Sequence, residues 1–307
     1  MLKNYIWILF LFLNLNLFSQ EIQIFRVQDF DLKGKVQSCL VITDYGRELF
    51  EFNEQGLLTR TVTQYNKTDQ DITYYQYEGE ELIEKRMESY KNNVLDAATS
   101  MANFYTIDTV SNKKISEKII SYDKEFLELQ EYVFDDTDRL VKIVTSNAHG
   151  VDETVLEYAS YKDESTVSQI VNEVMEKSVR TSERKTTQGT QKAVLTKEYI
   201  DGEPNIAYEE IFDETDKLIS KETFNYDIAK KEFVSGEKKQ CLYDADGMLS
   251  KVVTKTSNAE SFKEYIFQFD NNEEKNWIKQ IITPDNSYIT RRIEYYPTEQ
   301  VQEEPNE

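Results

Sequence analysis

The chain reads as an all-β protein, an antiparallel β-hairpin repeat array forming an extended twisted sheet. Three observations predict it. One phrase recurs along the 307 residues: an aromatic, usually an acidic residue, a few turn residues, then an aliphatic six positions after the aromatic. The flanks of these phrases are rich in β-branched and aromatic residues, which suit a pleated, half-buried surface. With 12% aromatics, 9 Gly and 4 Pro, the composition excludes intrinsic disorder and Pro-rich low complexity.

Lys3 precedes an unbroken apolar run from Tyr5 to Leu13, after which Asn14 and Asn16 lead to the small residue Ser19. A basic start, an apolar stretch and a small exit residue predict a signal peptide over 1–19, with the mature chain starting at Gln20. A membrane anchor needs about 20 apolar residues, and the asparagines interrupt the run before that. The first cysteine, Cys39, is too distant to take a lipid at the cleavage site, and no second apolar stretch of spanning length follows. The expectation is an exported chain with no integral membrane segment after signal cleavage, periplasmic or extracellular. No sorting domain is recognisable at the carboxy terminus, which favours the periplasm.

The repeat domain is expected over 20–296. Its copies are Phe52-Asn53-Glu54-Gln55-Gly56-Leu57-Leu58, Tyr77-Glu78-Gly79-Glu80-Glu81-Leu82-Ile83, Phe134-Asp135-Asp136-Thr137-Asp138-Arg139-Leu140, Phe212-Asp213-Glu214-Thr215-Asp216-Lys217-Leu218 and Tyr243-Asp244-Ala245-Asp246-Gly247-Met248-Leu249. A sixth starts at Phe269-Asp270 and reaches Trp277-Ile278 after a longer loop. Intervals between the aromatics are 25, 57, 78, 31 and 26, so the two large gaps hold degenerate copies of the same unit. Asp or Asn after the aromatic can accept from the backbone two residues on and start a turn. Gly56, Asp138, Asp216 and Gly247, four positions after the aromatic, are residue types that tolerate a left-handed backbone. That is hairpin chemistry. In the strands leaving the turns, Leu58, Leu140 and Leu249 alternate with polar neighbours, which predicts one buried and one wetter face.

One stretch carries a competing period. Val167, Ile170, Val171, Val174 and Met175 fall at helical spacing, but neighbouring repeat units need matching edges, and strand is the preferred reading over 165–180. Glu183 to Gly189 reads as a polar loop. The tail 297–307, acidic with two prolines, is expected to fray.

Charge excludes partners. With 36 basic and 57 acidic residues the net charge is −21, a field that repels nucleic acid and anionic membrane surfaces. Cys39 and Cys241 sit in strand-like stretches 202 residues apart and are expected to be buried free thiols, because an elongated array holds them far apart. The sole histidine, His149, lies in the turn-like Asn147-Ala148-His149-Gly150.

At Tyr243-Asp244-Ala245-Asp246-Gly247-Met248-Leu249 the chain resembles the tyrosine-aspartate, or RHS-like, repeats. Leu32-Lys33-Gly34-Lys35-Val36-Gln37-Ser38, together with Asn276-Trp277-Ile278-Lys279-Gln280 and Arg292-Ile293-Glu294-Tyr295-Tyr296, resembles the opening and closing phrases of uncharacterised small secreted repeat proteins of Bacteroidetes. The resemblance implies an antiparallel hairpin array and carries no catalytic residues. Large members of the class form shells, but the 288 residues after the leader are expected to be too few to enclose a space.

The acidic turns Asp135-Asp136 with Asp138, Asp213-Glu214 with Asp216, and Asp244 with Asp246 could present oxygens to calcium. An EF-type loop aligned on Gly247 would put Leu242 at its first position and Val253 at its twelfth, so the loop fails, and solvated turn acids are the expectation. Paired carboxylates for glycoside hydrolysis carry no information among 57 acids, and neither a phosphate-binding glycine loop nor a serine nucleophile elbow is present. No catalytic residue, metal or cofactor is assigned. The remaining signal is 20 tyrosines. Tyr and Trp on a sheet face suit sugars or protein partners, and Tyr74, Tyr75, Tyr265, Trp277 and Tyr288 are the candidate ligand-binding residues. The function expected is a non-enzymatic binding or protein-interaction scaffold of the cell envelope. Carbohydrate binding by exposed aromatics is the alternative, and a hydrolase without a local motif ranks last.

Overall fold

The computed structural model of the chain describes residues 22–187 and 189–297. The predicted signal peptide, and all but Pro297 of the predicted tail, lie outside the described residues. A short 3-10 turn, Val27–Phe30, is followed by strands alone. These are β1 (Val36–Thr43), β2 (Gly46–Phe52), β3 (Leu58–Gln64), β4 (Gln70–Glu78), β5 (Glu81–Lys91), β6 (Val94–Leu95) and β7 (Met101–Asp108). The series continues with β8 (Lys114–Ser121), β9 (Phe126–Phe134), β10 (Leu140–Asn147), β11 (Gly150–Tyr161), β12 (Glu164–Val171), β13 (Val174–Thr186) and β14 (Gly189–Ile200). Last come β15 (Glu203–Phe212), β16 (Leu218–Asp227), β17 (Glu232–Tyr243), β18 (Leu249–Thr256), β19 (Glu260–Phe269), β20 (Trp277–Thr283) and β21 (Ser287–Tyr295).

Every pairing is antiparallel, and successive strands are neighbours except at β6, a two-residue addition to the end of β5, which itself continues to β7. The expected extended sheet is corrected at its edges. β1 pairs with β21, Cys39 opposite Ile293 and Val41 opposite Arg291, so twenty strands close into a barrel. Closure removes both edges and the unpaired N–H and C=O rows they would expose. The expectation that the chain is too short to enclose a space fails for the same reason. At about 4.8 Å per strand, twenty strands give a perimeter of nearly 100 Å perpendicular to the strands.

The repeated phrase is the unit of this barrel. In five copies the aromatic and an aliphatic after the turn are ladder partners, Phe52–Leu58, Tyr77–Leu82, Phe134–Leu140, Phe212–Leu218 and Tyr243–Leu249, and in the sixth Trp277 takes the aliphatic's place opposite Phe269. A bulge beside each pair turns both side chains to one face. The copy at Tyr77 departs from the rule, because its turn is only Gly79-Glu80 and the buried residue is Leu82, five positions on. Strand alternation puts all six turns on the same rim. The gap between Tyr77 and Phe134 holds one more hairpin of that rim, β7–β8, and the gap before Phe212 holds two, β11–β12 and β13–β14. The degenerate copies inferred from the intervals are these.

Turn chemistry follows the residue types. Asn53, Asp135, Asp213 and Asp244 each accept two backbone N–H groups on Oδ1, at 2.8–3.1 Å, from the residues two and four positions on. Gly56, Asp138, Asp216 and Gly247 all have positive φ, between 60° and 79°. Hydroxyls then link one hairpin to the previous one: Tyr77 donates to the Leu58 carbonyl at 2.8 Å, Tyr158 to that of Leu140 at 2.7 Å and Tyr243 to that of Leu218 at 2.9 Å. Residues 165–180 are strand, with the turn Asn172-Glu173 at positive φ between β12 and β13. Glu183 to Thr186, expected as loop, instead extends β13.

The ladders also decide which side chains share a face. Cys39, Phe52, Leu58, Tyr132, Val179, Thr196, Cys241 and Ile282 fall on one face and are all buried. The opposite face buries fewer residues, among them Ala102, Ala193, Ala207, Ile72, Ile211 and Glu88. Side chains converge on the concave side of a closed sheet and splay on the convex side, so the first face is the lumen.

The seam is sealed by the two ends of the described chain. The Asn276 side chain, 2% exposed, acts as a surrogate peptide: its Oδ1 accepts from Lys33 N at 2.8 Å, and its Nδ2 donates to the Lys33 carbonyl and to the Tyr295 hydroxyl, each at 2.8 Å. Trp277 Nε1 donates to Asp31 Oδ2 at 2.7 Å, and Arg291 donates to the carbonyls of Phe30 and Asp31. Val27, Leu32, Phe25 and Phe30 pack with Cys39, Val41 and Phe52 on the lumenal face. The opening and closing phrases of the sequence are therefore one structure. Asn276→Ala strands the Lys33 N–H and C=O together, at a cost of about 2–4 kcal/mol. The expected result is a lower urea midpoint for Asn276→Ala than for the parent, and a smaller loss for Leu242→Ala, whose side chain is exposed.

Candidate functional site

The five candidate aromatics do not share one surface. Tyr74 lies on the convex face between two guanidinium groups, 4.8 Å from that of Arg86 and 5.8 Å from that of Arg60. Tyr75, its neighbour in sequence, turns into the lumen and packs edge-on against Phe25. Tyr265 is half-buried in the lumenal cluster of Cys241, Leu249 and Val252. Trp277 is buried at the seam, with the Arg291 guanidinium 3.5 Å above its ring and Phe267 against its edge. Tyr288 is half-exposed on the convex face beside Lys279. Sheet parity separates these residues, and the sequence shows the alternation without showing which alternate is outside.

The lumenal face carries buried acids held by their neighbours. Glu117 accepts from the Tyr105 and Tyr132 hydroxyls, each at 2.8 Å, and from Asn103 Nδ2 at 2.6 Å. Burial, and then the adjacent carboxylate, push both tyrosines far above the ordinary phenol range, so they stay protonated donors. Glu210, 2% exposed, pairs through Oε1 with Lys221 Nζ at 2.8 Å, while its Oε2 and the neighbouring Thr196 hydroxyl have no hydrogen-bond partner among the described residues. Glu198 accepts from Tyr208 at 2.6 Å. None of these acids was singled out in the sequence. The one signal available was an acid at an inward parity position.

The acidic turns behave as turn formers. Asp135 is held well below the usual carboxylate range, first by the Arg139 backbone N–H and then by the Thr137 hydroxyl. No group of three potential ligands able to hold a metal ion occurs among the described residues. His149 caps a tight turn, its N–H donating to Asn147 Oδ1 at 2.8 Å.

The convex face has its own character. β13 through β21 each place a charged side chain near mid-strand on it, from Arg180 and Lys197 through Glu222 and Lys251 to Lys279 and Arg292. Many pair laterally: Glu51 with Arg60 at 3.2 Å, Lys238 with Glu222 at 2.9 Å, Lys251 with Glu264 at 3.0 Å, and Lys114 with Glu131 and Lys142 with Glu153 in closer contact. A barrel in a bilayer needs an apolar outer band about 25 Å tall, and an Arg or Lys at mid-bilayer costs about 2–4 kcal/mol. Six of these nine consecutive strands carry Arg or Lys there, and their summed cost of about 12–24 kcal/mol is comparable to or above the ~5–15 kcal/mol that holds a typical domain folded.

Both thiols are buried and free, on the lumenal face of β1 and β17. Burial pushes Cys39 up from its ordinary 9.0 to about 11, partly offset by nearby Arg291, and raises Cys241 as well.

No family model and no curated protein matches the chain. Among solved structures it is similar to a porin-like protein from Bacteroides uniformis, at 8% identity and a TM-score of 0.31 over 84% of this chain and 96% of that one. A porin-like protein from Bacteroides vulgatus is similar at 11% identity and a TM-score of 0.26, over 86% of this chain and 99% of that one. At these scores the likeness transfers neither fold nor function.

Two outcomes are expected from the thiols. Native protein at pH 8 should leave Cys39 and Cys241 unlabelled by iodoacetamide, and both should label in urea. Because the neutral Cys39 thiol is the form the fold favours, its contribution is complete below pH 9 and is lost as pH rises toward 11. The stability of the parent should therefore fall more steeply over that interval than that of Cys39→Val, as read by urea midpoints at successive pH values.

Proposed function

We propose that the chain is an exported, water-facing closed barrel of the cell envelope that works by binding rather than by catalysis. The ion-pair belt on the convex face carries this reading, since it suits water on the outside of the ring and opposes lipid. The apolar stretch with a small-residue exit in 1–19 supports export. Several titratable groups described above have structural tasks: turn acids hold their own backbones, Glu117 anchors two tyrosines, and Arg291, stacked on Trp277, seals the seam. A closed ring whose exterior mixes paired charges with exposed apolar side chains such as Phe104, Leu242, Phe262 and Ile266 is suited to a protein partner, and we take the protein-interaction scaffold as the primary role. The dispersal of the five aromatics over two faces weighs against a single aromatic saccharide platform.

Fractionation of the native cell tests the location. The chain should be recovered in the soluble periplasm or the medium, with an amino terminus near Gln20 by mass spectrometry, and purified protein should add no conductance to liposomes. A carbonate-resistant membrane pool with channel activity sinks the proposal. Cross-linking of the tagged mature chain in intact cells tests the role, with a near-stoichiometric protein partner expected and recovery of glycan alone favouring the saccharide alternative.

A further inference from the structure

We propose that a depression on the convex face over β12–β14 binds a small ligand through an oxyanion group, a carboxylate or sulfate carried on a sugar or free in solution. The depression is lined by Thr166, Ser178, Arg180, Leu195 and Lys197. The register explains its shape. Ser168, Ser178, Lys197 and Ala207 form one row across four strands, and Thr166, Arg180, Leu195 and Glu209 form the next. Small side chains in the first row leave a floor, which the long side chains of Arg180, Leu195 and Lys197 wall in.

Its charge differs from that of the rest of the molecule. Of the six basic residues from Lys177 to Lys197 in a chain of net charge −21, the ladders put Arg180, Arg184 and Lys197 on the convex face, while Glu183, the one acid of that stretch, faces the lumen. Elsewhere on the convex face Arg60, Lys114, Lys142, Lys238 and Lys251 each meet a carboxylate within 3.2 Å, but at this depression the pairing is looser. Arg180 meets Glu164 only at 3.7 Å. Lys197 makes no ion pair among the described residues, and its ammonium rests 5.5 Å from the Phe233 ring. The other acids facing this area are Glu209, already bound by Arg184, and Glu157, exposed on β11 beyond Ser168.

The donors suit an oxyanion and its carrier. Arg180 and Lys197 offer N–H groups of positive charge, and such charge-assisted hydrogen bonds are about twice as strong as neutral ones. Thr166 and Ser178 add hydroxyls, and the Tyr199 hydroxyl stands 3.5 Å from that of Ser178. Hydroxyls beside a cation pair match a sugar acid, whose own hydroxyls both donate and accept. The overall negative charge does not forbid binding, because at physiological salt charges beyond about 8 Å are screened.

The site is separate from the five aromatics and does not depend on the barrel's having a protein partner. The test is titration of the isotope-labelled mature chain by NMR at fixed ionic strength, with sodium glucuronate, sodium sulfate and neutral glucose as probes. Glucuronate should move the amide signals of Thr166, Ser178, Arg180, Leu195 and Lys197 saturably in the millimolar range, and glucose should not. Lys197→Met and the double variant Arg180→Gln with Lys197→Met should each weaken binding, the double variant at least tenfold, while Lys197→Arg keeps it. An unchanged urea midpoint shows that the variants fold, and the single variant carries the test if the double variant does not. Sulfate binding as tightly as glucuronate assigns the site to free oxyanions, and tighter glucuronate binding assigns it to sugar acids. No saturable shift with either anion, equal binding of glucose, or unchanged affinity in Lys197→Met overturns the proposal.

Discussion

The ladder between β1 and β21 is the constraint on which the rest of the molecule depends. Every other pairing joins strands adjacent in sequence, or skips only the short β6, and any hairpin array could form them with its ends open. The β1–β21 pairing alone fixes how many strands the ring contains, which face is inside and where the terminal segments must lie. It is reinforced by groups whose other roles would be hard to explain: an asparagine that replaces a peptide unit, an indole N–H on a carboxylate, and a buried guanidinium that spends its donors on two carbonyls. Arg291 is costly to bury, and its position between Trp277 and the amino-terminal carbonyls makes it the centre of the seam.

Within the ring, asymmetry follows from one local rule. The aromatic–aliphatic pair and its bulge recur on one rim, so that rim gathers large inward side chains and five-residue acidic turns, while the opposite rim is made mostly of tighter turns. Tyrosine hydroxyls passing from one hairpin to the carbonyl of the previous one couple neighbouring units, as in other repeat proteins where stability is a sum of unit and interface terms. The convex belt performs a different task. Its lateral ion pairs contribute little individually, but they set what the outside of the barrel can touch.

Much of this was legible in the sequence, because it is local. Asn or Asp after the aromatic and a left-handed residue three positions later specify the turn, and the spacing of copies located three hairpins with no recognisable phrase. The need for matching edges between repeat neighbours favoured strand over helix at 165–180 against a helical apolar period, and Val167 and Val179 are indeed ladder partners on the lumenal face. Closure was not legible. Lys33 and Asn276 are far apart in the chain, and a single asparagine imitating a peptide leaves no periodic mark. Nor was the position of the aromatics: Tyr74 and Tyr75 are equal in sequence and opposite in space, and Trp277, which looks like a binding residue, is occupied in holding the ends together.

Closure by the last strand also bears on how the chain reaches its final form. Local hairpins can assemble in order as the polypeptide emerges, each needing only a short loop, and such contacts form quickly. The ring cannot shut until β21 is present, and until then β1 remains a free edge for most of the chain's synthesis. The strand that β1 awaits exists on every copy, so a crowded compartment could supply it from a neighbour and join two chains by exchange. The mutual negative charge of the copies, −21 on each, opposes that outcome.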